Sequence, residues 1–133
     1  MIATRFIVKK EWYIIVTLSK LKDYNYVIIG FHKSDDNPWK DYKFTERELV
    51  WLYEIARQNR VVLSVFARPY ALSDLTSTTN FEGIVMAYQN SRLAQEKTAQ
   101  IIFGAVGANG MLPVSVGKES PEGTGFLTPN INR

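Results

Sequence analysis

The chain has 133 residues, of which 46% are hydrophobic and 22% are charged, so its composition is that of one folded domain and not of a disordered segment. It has no cysteine, which excludes disulfides, thiolate metal sites and a cysteine nucleophile. Its net charge of +3 is spread along the sequence, and no apolar run approaches the ~20 residues of a membrane-spanning helix. We therefore expect neither nucleic-acid binding nor membrane insertion.

The first part of the chain is a series of short apolar runs. Residues 5–8 and 12–16 are β-branched and aromatic, which predicts two strands, and residues 18–23 suit a short helix or a turn. Residues 26–31 are continuously apolar, as in a strand that is buried on both faces. A polar loop with strong turn chemistry follows this run.

A capping box marks the first clear helix. Thr45 is followed three residues later by Glu48, and apolar residues then recur at helical spacing up to Asn59, which suits the helix end. Residues 61–67 form a second buried-strand run. A proline turn breaks this run, and residues 71–75 predict one or two helical turns.

The remaining elements repeat this alternation. Residues 84–88 predict a third buried strand, and Ser91 can cap the helix that follows it. Residues 112–116 predict a last short strand, whose proline indicates either a sheet edge or the start of the strand. We expect a single domain over residues 1–117, and a linker-like tail over residues 118–133 because they are rich in Gly, Pro, Thr and Asn.

The alternation of strands and helices predicts an α/β fold. The expected architecture is a doubly wound, mostly parallel sheet with helices on both faces, a flavodoxin-like three-layer sandwich. Ligands of such sheets bind at the carboxyl ends of the strands. The side chains expected near those ends are the candidates for a substrate cleft: His32, Asp35, Asp36, Arg68, Tyr70, Tyr88 and Asn90.

Four stretches are specific as a set, through their order and spacing. They are Val61 to Leu72, which ends in Pro69-Tyr70-Ala71-Leu72; Met86-Ala87-Tyr88-Gln89-Asn90-Ser91; Ala94 to Ala105; and Gly110-Met111-Leu112-Pro113-Val114-Ser115-Val116. Together they resemble the C-terminal domain of family 3 glycoside hydrolases, especially the bacterial β-N-acetylglucosaminidase-like branch. Residues 24–60 resemble it more loosely, so the domain is firmest over residues 24–116.

The resemblance implies a domain that packs on an N-terminal (β/α)8 barrel, which carries the nucleophilic Asp in this family. Such a barrel takes ~250 residues, so it is not part of this chain. Some relatives use a Glu of the C-terminal domain as the acid/base group, but no Glu here aligns with it. We therefore expect an accessory domain that has no catalytic residue of its own. The isolated chain should not hydrolyse O-glycosyl bonds. The substrate of the whole bacterial enzyme would be a carbohydrate.

The resemblance also leaves room for further partners. A further domain could follow residue 133. An isolated domain would expose the face meant for its barrel, which favours homodimers. The alternative is a free-standing carbohydrate- or protein-binding module.

The residues themselves leave further readings open. Asp35 and Asp36 could serve hydrolysis, which needs two carboxyl groups ~5–5.5 Å or ~6.5–9.5 Å apart, but Asp-Asp-Asn-Pro is also ordinary turn chemistry. The single histidine, His32, could contact a sugar, carry a proton in a small hydrolase with one of these acids, or be structural. Sugar stacking and domain packing both suit the remaining candidates Arg68, Tyr70, Tyr88 and Asn90.

Cofactor motifs are incomplete. One histidine and no cysteine argue against a metal site, which would need more such ligands. The Gly-Lys pair at residues 117–118 does not belong to a phosphate-binding loop, because Leu112 stands where the first glycine of that motif belongs. The Gly-x-x-Gly-x-x-Gly run of residues 104–110 follows a helix, whereas a dinucleotide fingerprint follows a strand. We expect no metal and no cofactor.

Overall fold

The computed structural model describes residues 12–34 and 41–131. In chain order the elements are α1 (Trp12–Leu21), β1 (Val27–His32), α2 (Glu46–Gln58), β2 (Val61–Phe66), a 3₁₀ helix (Pro69–Asp74), β3 (Phe81–Met86) and α3 (Arg92–Ile102). The three strands form one sheet in the order β1-β2-β3, and both pairings are parallel. The predicted α/β class is therefore confirmed.

One face of the sheet is sealed by α2, with α1 beside it. Leu63 and Val65 of the central strand are fully buried there, and Leu52 of α2 belongs to the same apolar cluster. Leu21, at the end of α1, joins a second cluster with Ala56 of α2. Because successive side chains of a strand point to opposite faces, this core takes every second residue of β1 and β2.

The opposite face of the sheet carries α3. Ile28, Gly30 and His32 of β1 lie beside their register partners on β2 at this face. Thr98 of α3 is buried, whereas Gly30 and His32 are exposed. Helices thus lie on both faces, but α3 leaves the β1 end of its face partly open.

Side chains cap both long helices as predicted. The Glu48 backbone N–H donates to Thr45 Oγ1 at 3.2 Å, and the Thr45 backbone N–H donates to the Glu48 carboxylate at 2.8 Å. Asn59 is the C-cap of α2, and Ser91 accepts a hydrogen bond in the first turn of α3. These bonds satisfy backbone N–H groups that have no partner within the helix.

Two strand predictions are wrong. Residues 12–16 lie in α1, because a short apolar run does not distinguish a strand from a helix segment. Residues 112–116 form no strand: their proline has no N–H to donate, and Val116 makes only an isolated antiparallel bridge with Ser120. The strand predicted at residues 5–8 lies outside the described residues.

The last described segment, residues 123–131, lies against the chain that follows α3; we call it the strap. Ala108 and Thr128 exchange backbone hydrogen bonds of 3.0 and 2.8 Å, and the Ile131 N–H donates to the Gly104 carbonyl at 3.0 Å. The segment has neither helix nor strand, and hydrogen bonds tie it to the domain.

Candidate functional site

His32 lies at the carboxyl end of β1, where neighbouring residues fix its ring. The ring stacks on Phe66 with centroids 4.4 Å apart and planes 10° apart, and Nδ1 lies 3.0 Å from Asn90 Oδ1. A Cβ atom on Gly30 would lie 2.7 Å from His32 Nε2. The ring therefore folds back along its own strand, and the glycine leaves the space that it occupies.

The hydrogen bonds of Asn90 determine which nitrogen of the ring carries the proton. Asn90 Oδ1 also accepts a hydrogen bond of 3.1 Å from Gln95 Nε2. Because an amide oxygen only accepts, His32 Nδ1 is the donor in their contact. Nε2 of the neutral ring is then an acceptor. His32 as a whole is exposed, and Nε2 lies over Gly30 of the same strand.

Tyr88 adds a strained turn close to this cluster. It is the single non-glycine residue with a left-handed backbone in the described ranges, at φ 63°. The Gln89 N–H donates to the Ala87 carbonyl at 2.7 Å, which closes a γ-turn around Tyr88. A turn of this hand is rare and costs about 1–3 kcal/mol, and such strain clusters at functional sites. Asn90 follows the turn and is positioned by it.

Arg68 and Tyr70 make contacts of their own. The Arg68 guanidinium lies 5.7 Å from the centre of the Tyr42 ring. Tyr70 is 48% exposed in the 3₁₀ helix, and its carbonyl accepts a hydrogen bond of 2.6 Å from Ser73 Oγ. Both follow β2 and so share the carboxyl edge with His32. The predicted Asp35 and Asp36 lie outside the described residues.

Glu48 is a carboxylate that contacts Lys33 near this edge, and it has a structural role. Lys33 Nζ, just after β1, lies 3.1 Å from both Glu48 oxygens. Burial by itself would raise the pKa of Glu48, but hydrogen bonds from the Thr45 backbone and from Lys33 outweigh it and lower the pKa. Glu48 is therefore ionised at neutral pH, where it closes the helix cap and binds Lys33.

Other described carboxylates are also engaged. Glu82 accepts hydrogen bonds from Arg60, which lower its pKa, and Glu119 accepts bonds of 2.7 and 2.8 Å from Thr78, which lower its pKa as well. Within residues 12–34 and 41–131, no group of three His, Asp or Glu side chains could hold a metal ion. The chemistry that this edge offers is hydrogen bonding by His32 and Asn90.

A groove of about 600 Å³ lies at the other end of the sheet. It runs between the start of β1 and the end of α3, and the Arg60 guanidinium stacks over its Tyr26 ring at 4.4 Å. The lining residues are Asp23, Tyr24, Asn25, Tyr26, Ile28, Val62, Ile102 and Phe103. None of them was predicted as a site residue, because the groove lies at the amino ends of the strands.

Sequence reasoning also missed three supports of His32. Gly30 and Phe66 share its face of the sheet, and strand alternation with the parallel register would have indicated both. Gln95 is exposed on α3, and it donates to Asn90. Nothing in the sequence pattern indicates that contact.

The fold defines a parallel α/β domain, and a fixed histidine at the carboxyl edge is its most developed polar site. In comparisons with known proteins, no family model, no curated protein and no solved structure matches the chain. Among the described residues, no helix combines the length and apolar character required to cross a membrane.

Proposed function

We propose that the chain is the accessory C-terminal domain of a family 3 glycoside hydrolase of the β-N-acetylhexosaminidase type. It would pack on a catalytic (β/α)8 barrel that is not part of the chain, and a carbohydrate would be the substrate of the whole enzyme. The parallel α/β fold is compatible with this role. The sequence resemblance over residues 61–116 is its main support.

The observation that carries the proposal is where the resembling stretches meet. Phe66 comes from the first stretch, Asn90 from the second and Gln95 from the third, and all three support His32. Stretches that are separate in sequence thus build one surface at the carboxyl edge. A surface fixed in this way suits contact with a neighbouring domain, because its side chains lose little further freedom on binding.

The carboxylates support a positional role. Glycoside hydrolysis needs an acid and a nucleophile or base at a defined separation. Glu48 is bound to Lys33 and a helix cap, and Glu82 and Glu119 are bound to Arg60 and Thr78. In our proposal the reacting carboxyl groups therefore belong to the barrel.

Hydrolysis of a chromogenic β-N-acetylglucosaminide tests the proposal. The purified chain is assayed beside a longer polypeptide in which about 250 residues of barrel precede it. We expect turnover by the longer polypeptide alone. Turnover by the chain itself that is lost in His32→Ala and kept in Asn25→Ala would contradict the accessory role and favour a small hydrolase.

A second candidate function is a free-standing carbohydrate- or protein-binding module. The exposed His32, which is hydrogen-bonded to Asn90 two residues after the strained Tyr88, favours it. For the carbohydrate case, the chain is titrated with chitobiose while its backbone amides are followed by NMR. Shifts centred on Tyr88 and Asn90 that disappear in Asn90→Ala, but not in Asn25→Ala, would favour the module. An unchanged spectrum would exclude this ligand.

A further inference from the structure

Glycines allow the strap to lie close to the residues that follow α3. A Cβ atom on Gly107 would lie 2.5 Å from the Thr128 carbonyl oxygen, and one on Gly125 would lie 2.5 Å from the Gly110 carbonyl oxygen. A Cβ atom on Gly104 would overlap the Ile131 side chain. Gly104, Gly107 and Gly125 are thus explained by the close approach of the strap, whereas a Cβ atom on Gly110 would have open space around it.

The surface formed by residues 103–111 and the strap, which we call the strap face, is strongly apolar. Ile131 lies against Gly104, which follows Phe103. Gly125 lies against Gly110, which precedes Met111. The large side chains therefore lie along residues 103–111 and along the strap. Their exposed fractions are 53% for Phe103, 59% for Met111, 86% for Phe126, 73% for Leu127 and 70% for Ile131.

The strap face also lacks charge. Residues 103–111 and 123–131 contain no Asp, Glu, Lys or Arg, although 22% of the whole chain is charged and about four charges would be expected among these 18 positions. Exposed segments normally carry charged residues. Depletion of charge together with aromatic residues and Met is characteristic of the core of protein–protein interfaces.

The summed exposed apolar area is comparable with what a specific interface requires. At roughly 150–200 Å² for a large apolar side chain, the five side chains expose on the order of 500–700 Å² per copy. Two such surfaces together reach the approximately 1,000 Å² that a specific interface requires. The largest apolar patch of an ordinary monomer covers about 300–600 Å².

We propose that the strap face binds a second copy of this chain in a two-fold dimer. In such a dimer the same patch faces itself, so it must be complementary to itself. Two copies with a net charge of +3 repel each other, and the strap face is where they can approach with no like charges opposed. The inference does not rest on the proposed glycosidase role.

Sedimentation equilibrium of the purified chain over a wide concentration range tests the dimer. The average mass should rise to twice that of the monomer. Phe126→Asp and Leu127→Asp should each weaken the association by about tenfold or more, because each places a carboxylate in an apolar interface. Val50→Asp is the matched control, since Val50 is 57% exposed on α2 and lies outside the strap face.

Thermal unfolding of each variant verifies that it folds. We expect folding because the side chains of Phe126 and Leu127 are both exposed to solvent. A chain that stays monomeric at every concentration would overturn the dimer. Equal weakening in Val50→Asp and Phe126→Asp would do the same. A monomer whose strap face instead binds a catalytic barrel would overturn the dimer and leave the proposed accessory role standing.

Discussion

The two faces of the sheet are built from the same strands but differ in chemistry. Under α2, the central strand presents Leu63 and Val65, both fully buried. On the face of α3, the neighbouring position on the same strand is Ser64, and its register partner on β1 is Gly30. Small and polar residues leave room for the His32 ring to lie along its strand. Stability and the candidate site are thus separated across the thickness of the sheet.

The largest expected effect is the loss of packing on the sealed face. Leu63→Ala should lower the free energy of unfolding by about 2–5 kcal/mol, because it leaves a cavity in the central strand. Val62→Ala, at a half-buried position on the opposite face, should cost about 1 kcal/mol. Urea unfolding measures both. Equal losses would show that the two faces contribute alike.

The N-terminal cap of α2 should stabilise the fold to an extent that depends on pH. The pKa of Glu48 is lowered in the folded state, so its stabilising effect is present above the unfolded pKa of about 4.3 and is lost as the pH falls through the lower folded value. Glu48→Gln should therefore cost about 1 kcal/mol at pH 7 and less at pH 3. Glu46→Gln, in the same turn, is the control in chemical denaturation at each pH. A cost that does not change with pH would contradict this account.

A smaller effect is expected from a methyl group on the open face. Gly30→Ala should displace the His32 ring and break its contact with Asn90, since the new Cβ would lie 2.7 Å from Nε2. Stability should change by less than about 1 kcal/mol because the ring is exposed and can move. NMR shifts of the ring and of the Asn90 side-chain amide measure the displacement. In the control Gly83→Ala the new Cβ has no neighbour within 4 Å, so these shifts should stay unchanged.

The smallest effect should have the opposite sign. Ser64 Oγ is buried and has no hydrogen-bond partner among the described residues. Ser64→Ala removes this unsatisfied group, so stability should stay unchanged or rise by up to about 1 kcal/mol. Thermal unfolding gives the answer. A clear loss of stability would mean that the hydroxyl is hydrogen-bonded in the folded protein.

Much of the fold could be predicted because local chemistry determines it. The capping box at Thr45 and Glu48 begins α2 as predicted, and Ser91 caps α3. Apolar runs located β1 and β2 to within a residue. The run at residues 12–16 was misassigned, because a short apolar run has no period that separates a helix from a strand.

The candidate site was predictable only in part. Parallel strands end at one edge, so the sequence could indicate that His32 and Asn90 lie near each other. It could not indicate the hydrogen bond between two residues that are 58 positions apart, nor the contact with Gln95. Those depend on how α3 is placed on the sheet, and tertiary packing decides that placement.

The hydrogen-bonded contact between Glu119 and Thr78 bears on which part of the molecule unfolds first. It joins residues 41 positions apart at an exposed site, whereas each strand of the sheet pairs with the next one along the chain. The segment that ends in the strap can therefore detach by local opening while the sheet stays folded. Native-state hydrogen exchange should then report two classes of amide, with Ala108 and Thr128 exchanging well before Val65. Each such opening would briefly uncover Leu112 and Val116, which are buried in the closed molecule.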